Sequence, residues 1–436
     1  ASYVPQWQSR AAFEVSSVQV ERAEGVFVYD LTGHRVVDMF SQLMVVNLGH
    51  GQPFYKQAIA QQLDMVPFLN TVKFVHPVLD EYSRQLAATL PDTINGVFFT
   101  ASGAEAIEAA VKAARAATGR EKVLYRNRSY HGATYGSLSV SGDGRRSMIG
   151  ACTVPHSVAV PHPVDLGGCE DDLSHRYVEA LRGAIEAEGP GTVAALLVET
   201  VTGGSGMYPP PSGVMRALRQ LCDEHGILMI ADEVMTGFGR TGTMWAFEQE
   251  GFVPDMVAMA KAITNGVVPL GALAVADGVR ERFSQDAFPH GATNNSHLLS
   301  VAVAKATLDF FTSQDVLGNV RARSGQLRTW LESLAGRGVV AGFRLRGLMG
   351  CIVCHPRARA AAPVAGKVAL YASTYSDMLD ELYRRGVYTI MRDNLLFLGP
   401  PLVISEAELA SAMETIEQVL VEWQGVRTRS EPAQKK

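Results

Sequence analysis

"MIADEVMTGFGRTG", residues 229–242, carries an apolar run straight into two carboxylates and then into a glycine-rich segment. An unpaired carboxylate where a buried strand ends is costly, so Asp232 or Glu233 either reaches solvent or meets something positive. The surrounding chain repeats the strand pattern. "GVFFT" (96–100), "KVLYRN" (122–127), "VAALLVET" (193–200), "ILMIADEV" (227–234), "DMVAMA" (255–260) and "GALAVA" (271–276) read as apolar strands. Helical segments interrupt them, notably the alanine-rich "GAEAIEAAVKAARAAT" (103–118) and "GVMRALRQLCDEHG" (213–226). Nearly all-apolar strands alternating with helices predict an α/β fold, with a parallel sheet covered on both faces.

On either side the pattern changes. "VFVYDLTGHRVVDM" (26–39) reads as a hairpin turning at Gly33. After about Ser296 come a long helix, the strand-like "FRLRGLMGCIVCHP", a helix near 369–385, "VYTI", "NLLFLGPPL" and a final helix from about Ser405 to Trp423. The expected organisation is an N-terminal segment (1–50) that joins a smaller α+β domain (306–425), a large domain (51–305) and a polar tail (426–436). With 436 residues, 47% hydrophobic and 19% charged, the chain is long enough for a large core and has a globular composition. A net charge of −5 argues against nucleic acid or an anionic membrane as the main partner. No apolar run approaches a transmembrane span or signal peptide, and five cysteines are sparse, so the expected location is the cytoplasm. Cys351 and Cys354 form a C-x-x-C, but strand alternation sends the two thiols to opposite faces, which favours packing over metal or redox chemistry.

In an open α/β sheet ligands sit at the carboxyl ends of the strands. Three polar signals fall there. "ASGAEA" after "GVFFT" is a small turn into a helix, where backbone N–H groups suit a phosphate. Asp232 follows "ILMIA", and Lys261 follows "DMVAMA". A lysine ending a buried strand is costly unless it snorkels, loses its proton or is modified. Pyridoxal phosphate (PLP) uses all three: a lysine for the Schiff base, an acid for the pyridine nitrogen and a phosphate anchor.

From about Gly25 to Leu420 the chain resembles the class III (ω-type) aminotransferases, PLP enzymes of fold type I. The resemblance rests on "GVFVYDLTGHRVVDM", "NLGHGQP", "FFTASGAEAIEAAVKAAR", "YHGATYGSLSVSG", "LLVETVTGGSGMYPPP", "IADEVMTGFGRTG", "MAKAITNGVVPLGA", "HGATNN" and "LGPPLVIS", in that order. It implies a large α/β domain with a mostly parallel seven-stranded sheet, Lys261 as the lysine of the internal aldimine and Asp232 as the partner of the ring nitrogen. Val234 and Tyr130 would take the two ring faces, with His131 next to Tyr130 in the same motif. Ser102, Gly103 and Ala104 would form the phosphate cup, and Glu199 would lie near the ring's oxygen side. Thr293 would reach the phosphate of a neighbouring subunit, making a homodimer the smallest competent unit. Leu43, Met44, Tyr130 and Ala133 would wall the substrate pocket, and Arg392 would take the carboxylate of a keto acid. Glu233 is expected to point away into packing or a salt bridge, and Arg240 to be structural.

The implied activity moves an amino group from an amine or ω-amino acid to a keto acid, pyruvate or 2-oxoglutarate. Two departures bear on the substrate. Relatives acting on GABA or ornithine carry a second glutamate where this chain has Gly204, which weakens those readings. Decarboxylating relatives have glutamine in place of Leu43. Met235 stands where the family often has glutamine. A racemase, epimerase or aminomutase would share Lys261 and Asp232 yet release no keto product, and a binding protein could keep the fold without catalysis.

Overall fold

The computed structural model describes residues 3–167, 170–356 and 375–430. The chain divides into two compact units: residues 53–317, and residues 1–52 together with 318–436.

The central unit is built on a seven-stranded sheet. In chain order its strands are β1 (Ile94–Thr100), β2 (Lys122–Arg126), β3 (Ser157–Val160), β4 (Val193–Glu199), β5 (Leu228–Asp232), β6 (Met256–Met259) and β7 (Gly271–Ala276). They lie side by side as β1-β7-β6-β5-β4-β2-β3. All neighbouring pairs are parallel except those of β7, which runs antiparallel to both β1 and β6. Alternate residues enter two separate cores. Leu124, Leu196, Val198, Met229 and Val257 belong to one, and Val123, Tyr125, Leu197, Ile230 and Ala258 to the other. Burial on both faces explains why these strands are apolar at every position rather than every second one.

Helix α1 (Gly103–Thr118) covers the second core with Ala106, Ile107, Ala110, Ala113 and Ala114. Its alanines combine the highest helix propensity with room for close approach to the sheet. Ser102 caps its start, and Gly119, at φ 68°, ends it. Helices α2 (Val214–His225) and α3 (Leu298–Ser313) supply Val214, Leu218, Val301, Ala304 and Leu308 to the other core. Because α3 is anchored in that core, it lies wholly in the central unit. The division falls after it at residues 317–318, rather than at the expected 306.

The register fixes where polar groups emerge. Glu199 pairs across β4 and β5 with Asp232, and Asp232 pairs across β5 and β6 with Ala258. Lys261 begins a short 3-10 turn just after β6. Gly271 of the reversed β7 pairs with Thr100 of β1. One edge of the sheet therefore gathers Thr100, Glu199, Asp232 and Lys261.

The other unit holds two four-stranded sheets. Val20–Glu24, Phe27–Asp30 and Arg35–Asp38 form an antiparallel meander that is extended in parallel by Val387–Tyr388. Gly342–Arg346, Met349–Val353, Leu395–Leu398 and Met391–Arg392 form the second, entirely antiparallel. Cys351 is buried inside a strand of this sheet, and Cys354 is buried just beyond its end. Part of the helix expected near 369–385 lies outside the described residues; the described helix is Ser376–Arg384. Among the described residues no helix is long and apolar enough to cross a membrane, and no group of side chains could hold a metal ion.

Candidate active site

Asp232 is only 5% exposed, and both its oxygens are used. Oδ2 lies 2.6 Å from His131 Nδ1, and Oδ1 accepts the Val234 N–H at 3.0 Å. His131 is held in turn, its own N–H donating to Ser141 Oγ at 2.9 Å. Its Nε2 is buried with no hydrogen-bond partner in the protein. Glu199, also buried, accepts the Tyr130 N–H on Oε1 at 2.9 Å and the Gly203 N–H on Oε2 at 2.7 Å. Burial pushes the Glu199 pKa up, and Asp232 adds to that, while His131 and the two N–H donors oppose it.

Lys261 sits at φ 49°, a left-handed conformation that costs a non-glycine residue roughly 1 kcal/mol or more. Burial of its ammonium pushes the pKa down. Asp232 and Glu199 pull it up, and Arg145 pushes it further down. Arg145 had no role in the sequence reading. Its guanidinium carbon lies 3.4 Å from the centroid of the Tyr130 ring, and its Nε is 2.8 Å from the buried carboxylate of Asp143. The local signal was the basic pair in "SGDGRRS", directly after the "YHGATYGSLSVSG" motif.

The turn between β1 and α1 is closed by reciprocal caps. Ser102 Oγ accepts the Glu105 N–H at 3.2 Å, and Glu105 Oε2 accepts the Ala101 N–H at 2.8 Å. The N–H groups of Gly103 and Ala104 open the helix at its positive end, without intrahelical acceptors. Three glycines let other segments close in on this turn. A Cβ on Gly103 would lie 3.0 Å from Val234 Cγ1, one on Gly132 would lie 2.6 Å from Ala104 Cβ, and one on Gly271 would lie 2.6 Å from Thr100 Oγ1 and collide with the Ser102 carbonyl. Gly132 also needs its freedom at φ 135°.

Glu233 takes the opposite direction from its neighbour. It is buried and accepts from Thr200 Oγ1 at 2.9 Å, from the Phe247 and Ala246 N–H groups at 3.0 and 3.1 Å, and from the Thr236 hydroxyl. It ties the β5 end to the short helix Phe247–Glu250 and points into packing, as expected. Arg240 is fully buried. Ala133 and Thr293 are exposed.

The family described as Aminotransferase class-III matches residues 9–420. The chain belongs to the class III aminotransferases. It is 30% identical over 415 residues to the omega-aminotransferase of Caulobacter vibrioides, covering 91% of this chain and 92% of that protein. Its structure is similar to that of a taurine:2-oxoglutarate aminotransferase from Bifidobacterium kashiwanohense, determined in complex with PLP and glutamate. There the TM-score is 0.89 with 30% identity, over 98% of this chain and 95% of that one. An (S)-enantioselective omega-transaminase from Thermomicrobium roseum gives a TM-score of 0.88 with 31% identity, over 97% and 96%.

This aminotransferase is a PLP-dependent enzyme of fold type I. Its residues fit that cofactor: a helix start cleared by glycines suits a phosphate, a buried carboxylate suits a protonated ring nitrogen, and Lys261 is a lysine biased toward its neutral form. Leu43, Met44 and Arg392 belong to the aminotransferase's other unit. Of the two expected pocket walls there, Leu43 is 41% exposed but Met44 only 1%. Met44 is packed where the missing side chain of Gly399 leaves room, so it presents no surface to a substrate. The Met235 side chain is half-buried, and nothing in the structure explains its choice.

Proposed function

We propose that this aminotransferase takes its amino group from an amine or ω-amino acid with a neutral, apolar end and delivers it to pyruvate or 2-oxoglutarate. The observation carrying the site assignment is the strand-end pair of Asp232, buttressed by His131 at 2.6 Å, and Lys261, whose ammonium is destabilised by burial. Bound PLP supplies the electron sink that stabilises negative charge on the donor carbon. Lys261 carries the cofactor and, once its amine is free and neutral, moves the proton on and off that carbon. Asp232 keeps the ring nitrogen protonated. A charge pair at 4 Å is worth roughly 4 kcal/mol at an effective dielectric near 20, or about three pKa units. His131 fixes the direction of that carboxylate. Tyr130 and Val234 hold the ring between them, Ser102, Gly103 and Ala104 bind the phosphate, and Glu199 borders the ring's oxygen side. Tyr130, Ala133 and Leu43 shape the donor pocket, and Arg392 binds the carboxylate of the keto acid.

The competent unit in this reading is a homodimer, in which Thr293 completes the phosphate site of a second copy. The exposed loop carrying Thr293 supports this, as does the run of exposed apolar side chains at Leu63, Met65, Phe68, Val72, Phe74 and Val75. The cytoplasm is the proposed location. Buried Cys222, Cys351 and Cys354, none of them in a disulfide and with thiol pKa values pushed up by burial to about 12, 11 and 12, support a reducing compartment.

The deciding experiment is a panel of amines against pyruvate and 2-oxoglutarate, read as alanine and glutamate formed. Apolar amines should outpace GABA and ornithine. Arg392→Ala should damage the keto-acid half-reaction more than the amine half-reaction, and equal loss in both would remove Arg392 from its role. Donor racemisation without alanine or glutamate would overturn the assignment.

A further inference from the structure

The sheet edge that carries Asp232 and Lys261 has an opposite edge, and a cavity of about 390 Å³ opens there. Every residue lining it belongs to the central unit. Leu228 begins β5, Asp255 directly precedes β6, and Ala276 ends the reversed β7. Thr118 ends α1, and Gly226 follows the last residue of α2. Along β5, four steps of ~3.3 Å put Leu228 roughly 13 Å from Asp232. The cavity is therefore separate from the site where the amino group moves.

Its charges do not balance. Asp255 is the one acid among the described lining residues, and its Oδ2 already accepts from Arg219 Nη1 at 2.5 Å and from the Met229 N–H at 2.6 Å. Against it stand Arg120 and Arg282. Arg120 turns Nη1 toward the carbonyls of Val193, His225 and Gly226 at 3.0 Å and of Pro190 at 3.5 Å. Those contacts hold its guanidinium in place, yet it pairs with no carboxylate among the described residues. Its Nη2 stands beside Gly226, 3.4 Å from where a Cβ would lie. Arg282 has neither an ion pair nor a hydrogen bond among the described residues. Arg280 of the same short helix, Asp277–Arg282, is by contrast paired with Asp277 at 3.0 Å. A Cβ on Gly278 would meet nothing within 4 Å, so the wall is open there.

We propose that this cavity binds a small dianion, a dicarboxylate or a phosphate group, between the guanidinium groups of Arg120 and Arg282. A short apolar body on that ligand would lie against Ala117, Leu228 and Val279. Guanidinium groups match carboxylate and phosphate oxygens in planar, two-contact geometry. The volume falls within the ~300–1,000 Å³ of small-molecule sites. Arg120 is fixed before the ligand arrives, so little ordering is left to oppose binding. The bound anion joins the end of α1 and the end of α2 to the helix Asp277–Arg282, and so stabilises the central unit without touching the reacting atoms.

The test titrates the PLP-loaded enzyme with succinate and, separately, with inorganic phosphate, by calorimetry and by Tm, in a buffer free of other polyvalent anions. At least one should bind at millimolar concentration or below and raise Tm as its concentration passes Kd. Binding of succinate alone assigns the site to dicarboxylates, and binding of phosphate alone assigns it to phosphate groups. Arg282→Gln has no partner to lose, so it should leave the Tm of the unliganded enzyme unchanged. It should nevertheless weaken binding about tenfold, the loss of one charge-assisted contact. Arg282→Glu should abolish binding. Arg280→Gln, a charge change on the same helix outside the cavity, should leave it intact. Because Arg392 also takes a carboxylate in the proposed reading, the titration is repeated on Arg392→Ala, where the affinity should persist. Binding lost in Arg392→Ala but kept in Arg282→Gln belongs to the active site and overturns the proposal. Equal weakening by Arg280→Gln and Arg282→Gln would reduce it to diffuse surface charge, and no binding of either anion would end it.

Discussion

Asp232 and Glu233 are neighbours in the chain with opposite fates. Strand alternation turns the first toward His131 at the sheet edge and the second into a nest of donors from Thr200, Thr236, Ala246 and Phe247. Asp232→Asn keeps a hydrogen-bonding group beside His131 but removes the charge. It should lower kcat by ~10²–10³, the equivalent of a ~4 kcal/mol charge pair, with a smaller effect on PLP affinity. Retention of wild-type kcat would refute the charge argument. Burial raises the Glu233 pKa from 4.5 to about 7, against the pull of its donors. The folded state therefore holds a proton that the unfolded chain releases, so this group's stabilisation is complete below pH 4.5 and is lost as pH climbs through 7. Glu233→Gln should flatten the fall of Tm across that window. Lys261 shifts the other way: with its pKa lowered, the neutral amine appears at lower pH, and the donor half-reaction should rise with pH through that lowered value. Removing the opposing charge with Arg145→Gln, paired with Asp143→Asn so that no buried carboxylate is stranded, should move this limb to higher pH. Asp232 and Lys261 were legible in the sequence because each breaks an apolar strand where it ends. Arg145 was not, because its stacking on Tyr130 depends on how the turn at Asp143 brings it back.

At the scale of elements, the six strands read from the sequence stand where expected, and α1 spans the residues its alanine run indicated. Two features escaped for physical reasons. β3 is short and half-exposed at the sheet edge, with no long apolar run to betray it. The reversal of β7 left no trace, because a strand buried on both faces has the same composition in either direction. That reversal makes Gly271 critical, since its missing Cβ is what lets the Ser102 turn pass. Gly271→Ala should weaken PLP binding about tenfold, from an overpacking cost of ~1–3 kcal/mol. The check is a cofactor titration by absorbance, with circular dichroism to verify the fold; undiminished affinity would mean the turn does not hold the phosphate.

For the whole molecule, the apolar residues between Leu63 and Val75 test the dimer. Val72 is 92% exposed in the single chain, where a change to aspartate should cost within ~0.5 kcal/mol. In a dimer that covers this run, Val72→Asp combined with Phe74→Asp should shift sedimentation toward monomer and reduce PLP retention together. An unchanged dimer would place the interface elsewhere. Composition and strand pattern made the α/β class legible, but not where the central unit ends, because α3 looks the same whichever core its apolar face joins. The sheet order has one more consequence, for synthesis. β1, which leads into the turn at Ser102, is an edge strand whose only partner in the sheet is β7, made last of the seven. As the chain leaves the ribosome, Gly132 and Val234 reach that turn early, but β1 has no strand to pair with until residues 271–276 have emerged. A nascent chain arrested before β7 should therefore bind no cofactor, however well its earlier strands have paired.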